Sequence, residues 1–209
     1  MSPHPLIGKP APTFSLPNQD GETYEFKPGN GTPTAIFFYP SSGTYGCTKE
    51  ACAFRDATAE NGVFKTKVNV IGISSNPVAV QKKFVEDNKL TYPVLSDAKG
   101  EVRKAYHTSK GLLGLTDSRT TFVIDSKGIV RGSFDSVINY SGHSNFVKKE
   151  LEKLAAEEGS SAKPTATAAA PAAEPAPAPT QPKPETPPVP AATTEQTAEE
   201  SKAAAAVQA

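Results

Sequence analysis

Over its last quarter the 209-residue chain has almost nothing with which to build a core. From Glu157 to Ala209 there is no aromatic residue, no leucine and no isoleucine, and ten of the twenty prolines fall there. Such a stretch cannot bury enough apolar surface to offset the entropy of ordering it, so residues 157–209 are expected to form a disordered Ala/Pro/Glu-rich tail. The aromatic residues all lie at or before Phe146, which places one folded domain over residues 1–156, an ordinary size for a single core. No run approaches the ~18 consecutive apolar residues of a membrane span, so no membrane partner is expected. There is no Lys/Arg run either. The tail carries three Lys and seven Glu, net −4, which leaves the domain about +4 in a chain that sums to zero. That charge is too dispersed to form the concentrated basic patch of a nucleic-acid binder. The opening residues lack a basic segment followed by an apolar one, so a soluble, cytoplasmic protein is expected. Its two cysteines would then sit in a reducing compartment, where a permanent structural disulfide is uncommon. Free thiols or a working redox pair remain.

What is present reads as alternating strands and helices. Thr13–Leu16 and Thr23–Phe26 alternate on either side of the turn cluster at 18–21, predicting a hairpin. Thr34–Tyr39 and Val68–Ser74 are short apolar runs, the pattern of strands buried on both faces. Val94–Leu95 is a further short strand. Thr121–Asp125, turned by Ser126–Gly128 into Ile129–Phe134, adds a late antiparallel pair. Helices are predicted over Cys47–Ala59, from Asn76-Pro77 to about Asn88 with Val80, Phe84 and Val85 inward, over Lys99–Tyr106, and over Ser144–Ala156 with Phe146, Val147, Leu151 and Leu154 on one stripe. Buried strands separated by helices imply a mixed α/β layer fold.

The informative stretch is FFYPSSGTYGCTKEACAFRD, residues 37–56. A buried strand ends at Pro40, a small-residue loop follows, and Cys47 stands where a helix begins. Unpaired backbone N–H groups and the positive end of the helix dipole favour an anion there, and a thiolate is one. Thr44, three residues earlier, can offer its hydroxyl to the sulfur or to a bound oxygen ligand. Cys52 lies five residues on. In an intact helix that spacing rises about 7.5 Å and leaves the Cα atoms roughly 8–9 Å apart, beyond the ~7 Å a disulfide tolerates. If the two work as a redox couple, the first turns must unwind. Cys52 also fits a small buried hydrophobe. A zinc site would need more ligands than two thiols, and His4, His107 and His143 show no ligand spacing to them. A thioredoxin-like dithiol would have two intervening residues rather than four. A cysteine protease would need a histidine with an orienting partner. His107 and His143 remain open for that, although nothing around Cys47 has such a local signature.

This stretch resembles the active-site region of the peroxiredoxins, specifically the Q or bacterioferritin-comigratory-protein subgroup. The family pattern of proline, three residues, threonine, two residues and cysteine is met by Pro40, Thr44 and Cys47. GKPAPTFSLPNQDGETYEF resembles the family's opening hairpin. RTTFVIDSKGIV resembles its late strand pair, with Arg119 at the start. The resemblance covers most of residues 5–155 and implies a thioredoxin-like fold, a central mixed β-sheet flanked by helices. It implies a thiol-dependent peroxidase acting on hydrogen peroxide and organic hydroperoxides in antioxidant defence. Cys47 would become a sulfenic acid and Cys52 would close an intramolecular disulfide on it. Thioredoxin would be the reductant, with no metal or organic cofactor. Arg119 and Thr44 would support the sulfur and the oxygens, Gly46 and Cys47 would offer backbone N–H groups, and Pro40 would shield the site. The subgroup's frequent monomeric state carries over as an expectation, and the nuclear site of some fungal relatives stands beside the cytoplasmic one. One departure is Tyr45, where many members have proline; its phenol is expected at the substrate entrance, with an exposed loop aromatic as the other reading. Arg55, on the Cys52 helix, is a second candidate cation. The competing class is a redox sensor or holdase switched by the same two cysteines, for which Thr44 and Arg119 would be unnecessary.

Overall fold

The computed structural model describes residues 3–60, 62–108, 110–111 and 116–161, all within the first of two units into which the chain divides, Met1–Thr165. Of the expected tail, residues 157–161 are helical rather than disordered, and those from 162 onward lie outside the described residues. In chain order the elements are β1 (Phe14–Pro17), β2 (Thr23–Phe26), β3 (Thr34–Phe38), α1 (Tyr45–Thr58), β4 (Asn69–Ser74), α2 (Val78–Asn88), β5 (Val94–Ser96), α3 (Glu101–Ala105), β6 (Lys110–Gly111), β7 (Thr116–Asp117), β8 (Thr120–Ile124), β9 (Val130–Asp135) and α4 (Tyr140–Ser161). The main sheet has five strands in the order β5-β4-β3-β8-β9. Strands β3, β4 and β5 run parallel, and β8 and β9 join antiparallel. The expected mixed sheet flanked by helices is the observed one.

Strand β3 shows why this sheet must be covered on both sides. Its five residues are all buried, and alternate side chains serve different cores. Ala35, Phe37 and Tyr39 pack with Ala51 and Phe54 of α1, Phe84 of α2 and Val147, Leu151 and Leu154 of α4. Ile36 and Phe38 pack on the opposite face with Phe26 of β2, Val102 of α3, Tyr106 and Phe122. Gly72 on β4 is needed for this packing, because a Cβ there would lie 2.8 Å from the Phe37 ring. Among the described residues no helix is long and apolar enough to cross a membrane.

Three sequence expectations shift. Helix α4 begins at Tyr140, four residues before the expected Ser144; its first turn is polar and contains Gly142, so apolar periodicity does not reveal it. Val80, expected inward on α2, is 41 % exposed, and Gln81 is fully buried instead. Gln81 Oε1 accepts from Tyr39 Oη at 2.7 Å and Ser42 Oγ at 2.8 Å, while its Nε2 donates to Ser74 Oγ and the Leu95 carbonyl. Asn76, at the expected start of α2, lies before the helix and accepts from the Ser42 backbone N–H at 2.7 Å, and Pro77 is the N-cap. A buried amide can be worth its desolvation only when fully bonded. Here it ties the loop after β3 to β4, β5 and α2.

Candidate active site

Helix α1 starts where the notable cysteine sits. Thr44 is its N-cap with extended backbone, but its side chain makes no cap bond; the hydroxyl donates to the Ser41 carbonyl at 3.1 Å. Thr48 N–H closes the first turn on Thr44 O. The N–H groups of the first turn have no carbonyl of their own helix to reach, and Cys47 lies among them. Cys47 is buried, while in the preceding loop and first turn Pro40 is half-buried and Thr44 and Tyr45 are exposed.

Arg119, just ahead of β8 and so beside the end of β3, reaches the cysteine on the α1 face of the sheet. Its Nη2 donates to Cys47 Sγ at 3.3 Å, and its Nη1 pairs with the Glu50 carboxylate. The guanidinium stands over the Tyr140 ring, 5.1 Å from its centroid. Burial opposes the Arg119 charge, but Glu50 and Cys47 outweigh it and raise its pKa. Gly46 is buried under the same Tyr140 ring, and any Cβ there would run into it. Tyr45 is 73 % exposed; its ring meets Tyr140 edge-on at 6.4 Å and carries Lys49 Nζ at 5.6 Å. Cys52 is half-buried one turn further along unbroken α1, its thiol facing Asn88 Oδ1 at 3.8 Å. Both cysteines are free. Arg55 bonds the Asn88 carbonyl and Asp56 rather than Cys47. Of the expected site residues, the fold brings Cys47, Arg119 and Gly46 together; Pro40, Thr44 and Tyr45 lie in the loop and first turn leading to Cys47, and Cys52 makes its contact with Asn88 instead.

Two further buried groups complete the arrangement: Glu50, absent from the sequence reading, and His143, present there only as an open protease or zinc candidate. Glu50 is fully buried and lies three residues after Cys47 on the same helical face. That spacing was the available signal, but a glutamate inside a helix ordinarily faces water. Burial pushes its carboxyl from 4.5 up to about 8, against the opposing pull of Arg119. His143 of α4 is also fully buried. Its Nε2 lies 2.9 Å from the Ser136 carbonyl and must be the donor, so Nδ1 faces Thr121 Oγ1 at 2.8 Å and Glu50 Oε1 at 3.3 Å. Burial is the main cause, with Arg119 adding to it, that lowers the ring from 6.5 to about 4.

These shifts predict a stability profile. Glu50 keeps a proton in the folded state that the unfolded chain releases, so its contribution is present below about pH 4.5 and lost as pH rises to about 8. The neutral His143 contributes above about 6.5, and this is lost as pH falls to about 4. Between about 4.5 and 6.5 the two offset, since folded and unfolded chains each hold one proton on the pair. The expected outcome is a plateau there and a fall above it, at up to about 1.4 kcal/mol per pH unit. Urea melts of the reduced protein at stepped pH check this, and Glu50→Gln is expected to remove the alkaline fall.

Comparison with known proteins gives a consistent picture. The model of the AhpC/TSA family matches residues 7–133. The chain is 35% identical over 147 residues to a chloroplastic peroxiredoxin Q of Triticum aestivum, covering 70% of this chain and 67% of that one. It is 40% identical over 147 residues to a putative peroxiredoxin of Mycobacterium tuberculosis, covering 68% of this chain and 92% of that one. Among solved structures, the peroxidoxin BcpB of Mycobacterium tuberculosis superposes with a TM-score of 0.62 at 37% identity, covering 71% of this chain and 97% of that one.

Proposed function

This chain belongs to the AhpC/TSA family as a peroxiredoxin, an oxidoreductase with thiol peroxidase activity, and from that premise we propose that Cys47 attacks the peroxide and Cys52 resolves the product. The observation that carries the assignment is the Arg119 Nη2–Cys47 Sγ hydrogen bond of 3.3 Å in a buried site at a helix start. A permanent cation on the sulfur favours the thiolate and stays in place for the charge that develops on the departing oxygen. The thiolate breaks the O–O bond and becomes a sulfenic acid, and the other oxygen leaves as an alcohol or water. Thr44 turns its hydroxyl from Ser41 to the bound peroxide, beside the N–H groups of Gly46 and Cys47. Pro40 limits water at the sulfur, and Tyr45 stands at the entrance.

Cys52 then attacks the sulfenic acid, which intact α1 forbids. Five helical residues separate the two Cα atoms by roughly 8–9 Å. The first turns of α1 therefore unwind before the disulfide closes, and a thioredoxin-type dithiol reopens it by exchange. The experiment adds one equivalent of hydrogen peroxide to the reduced protein, followed by peptide mapping and amide exchange. A Cys47–Cys52 crosslink is expected, with protection lost across residues 45–53 and recovered on adding thioredoxin with its reductase. A crosslink with unchanged protection would contradict the unwinding. Absence of the crosslink would remove Cys52 from the mechanism.

A further inference from the structure

The buried site holds one guanidinium between two groups that can each be an anion. Arg119 Nη2 is on Cys47 Sγ and Nη1 is on Glu50 Oε2, and the three residues are 3 %, 1 % and 0 % exposed. Thiolate and carboxylate together would leave an uncompensated negative charge out of water, which is costly. The other nearby cation does not balance it: Arg103 of α3 is committed to the Tyr39 and Ile73 carbonyls and to Asp117 at 3.4 Å.

The second carboxyl oxygen supplies the independent observation. Among the described residues, no hydrogen-bond donor reaches Glu50 Oε1. What faces it is His143 Nδ1 at 3.3 Å, on the ring whose Nε2 proton is already committed to the Ser136 carbonyl. In a neutral ring that nitrogen presents one lone pair, shared between the Thr121 hydroxyl at 2.8 Å and the Glu50 side. A lone pair against a carboxylate oxygen repels, and a proton between them removes the repulsion. Placing it on the ring would create a buried imidazolium close to the Arg119 charge. Placing it on Glu50 leaves the pocket with one cation and one anion.

Resting on the assignment of Cys47 as the attacking thiol, we propose that Cys47 and Glu50 use the charge of Arg119 in alternation: Glu50 holds a proton toward His143 while Cys47 is a thiolate, and becomes the carboxylate partner of Arg119 once Cys47 is oxidised. The reaction balances as Cys47–S⁻ + ROOH + Glu50–COOH giving Cys47–SOH + ROH + Glu50–COO⁻. The O–O bond breaks and an S–O bond forms. Sulfur loses two electrons to the peroxide, the peroxide's own proton stays on the sulfenic oxygen, and the proton Glu50 gives up balances the one the departing alkoxide takes. When the reductant restores the Cys47 thiol, its proton returns to Glu50. Glu50 acts through Arg119, so it is a positioning residue, and His143 holds its proton.

The other groups facing the pair do not replace it. Tyr39 at the end of β3 and Tyr92 ahead of β5 are pushed upward by burial and remain neutral phenols. Asp135 of β9 accepts from the Ser118 and Thr120 hydroxyls. Thr121 of β8 is on His143, and Tyr140 of α4 is under the Arg119 cation.

The test is infrared difference spectroscopy of the full chain, reduced against peroxide-oxidised, at neutral pH. A protonated-carboxyl C=O band is expected to disappear on oxidation, to shift in deuterated water, and to be missing in Glu50→Gln. Should Glu50→Gln not fold, wild type labelled with carbon-13 glutamate assigns the band instead. In parallel, the wild-type rate of peroxide reduction is expected to fall about tenfold per unit above pH 8, and the Glu50→Gln profile to stay level there. Oxidation of wild type at Cys47 with no change in any carboxyl band overturns the alternation and leaves the peroxidase assignment standing. Failure of peroxide to oxidise Cys47 at all overturns both.

Discussion

Cys47→Ser is expected to abolish peroxide reduction, by on the order of 10⁴-fold or more, while Cys52→Ser consumes one equivalent of peroxide and stops. The chain has two cysteines, and only the Cys47 sulfur lies under the Arg119 fork at a helix start. Serine at that position keeps the hydrogen bond to Arg119 but not the nucleophile, because its hydroxyl is not ionised at neutral pH to any useful extent. Cys52 is half-buried against Asn88, away from Arg119, and nothing there replaces the lost thiolate. The Cys52→Ser protein should make its first sulfenic acid at the wild-type rate and then stall, since no second thiol exists within the chain to close on it. Stopped-flow peroxide consumption with thioredoxin and its reductase, together with trapping of the sulfenic acid, separates the two. Sustained turnover by Cys47→Ser would refute the assignment, and sustained turnover by Cys52→Ser would move the resolving role to an external thiol.

The second large effect is expected at Arg119. Arg119→Met should lower the second-order rate with hydrogen peroxide by roughly 10²–10³-fold, the usual cost of losing an aligned electrostatic donor in a water-poor site. Arg119→Lys should recover little of it. The guanidinium serves Cys47 with one nitrogen and Glu50 with the other while lying over Tyr140, and an ammonium point charge cannot span that fork. The fold should survive in Arg119→Met, because burial already drives Glu50 toward its neutral form. Unchanged circular dichroism alongside the rate loss is the required control. A rate within threefold of wild type would mean that the helix start, not the arginine, supports the sulfur.

The elements surrounding these residues differ in how openly the sequence announces them. Strand β3 is legible as a strand because an apolar run of that length, bounded by Pro33 and Pro40, is too short for a helix. Helix α1 and its cysteine at the first turn are legible because a small-residue loop gives way to strong helix formers. Arg119 is legible only through its resemblance to a family motif, because no local pattern marks it. Glu50 and Gln81 have the composition of ordinary solvent-facing helix residues, and both are fully buried. Tyr140 and His143 sit in a polar first turn of α4, ahead of Ser144, where apolar periodicity starts the helix.

By itself, then, the sequence determined the alternation of buried strands and helices, the position of Cys47 at a helix start, and a spacing to Cys52 that intact helix geometry keeps apart. These are properties of a few consecutive residues, set by backbone geometry and side-chain periodicity. The tertiary structure decided which polar side chains leave water. The Arg119 contacts to Glu50 and Cys47 close across 69 and 72 residues, and the Glu50–His143 approach depends on α1 and α4 packing against the same face of the sheet. A carboxyl group's proton depends on its desolvation and on the charges around it, and neither exists until those distant segments meet.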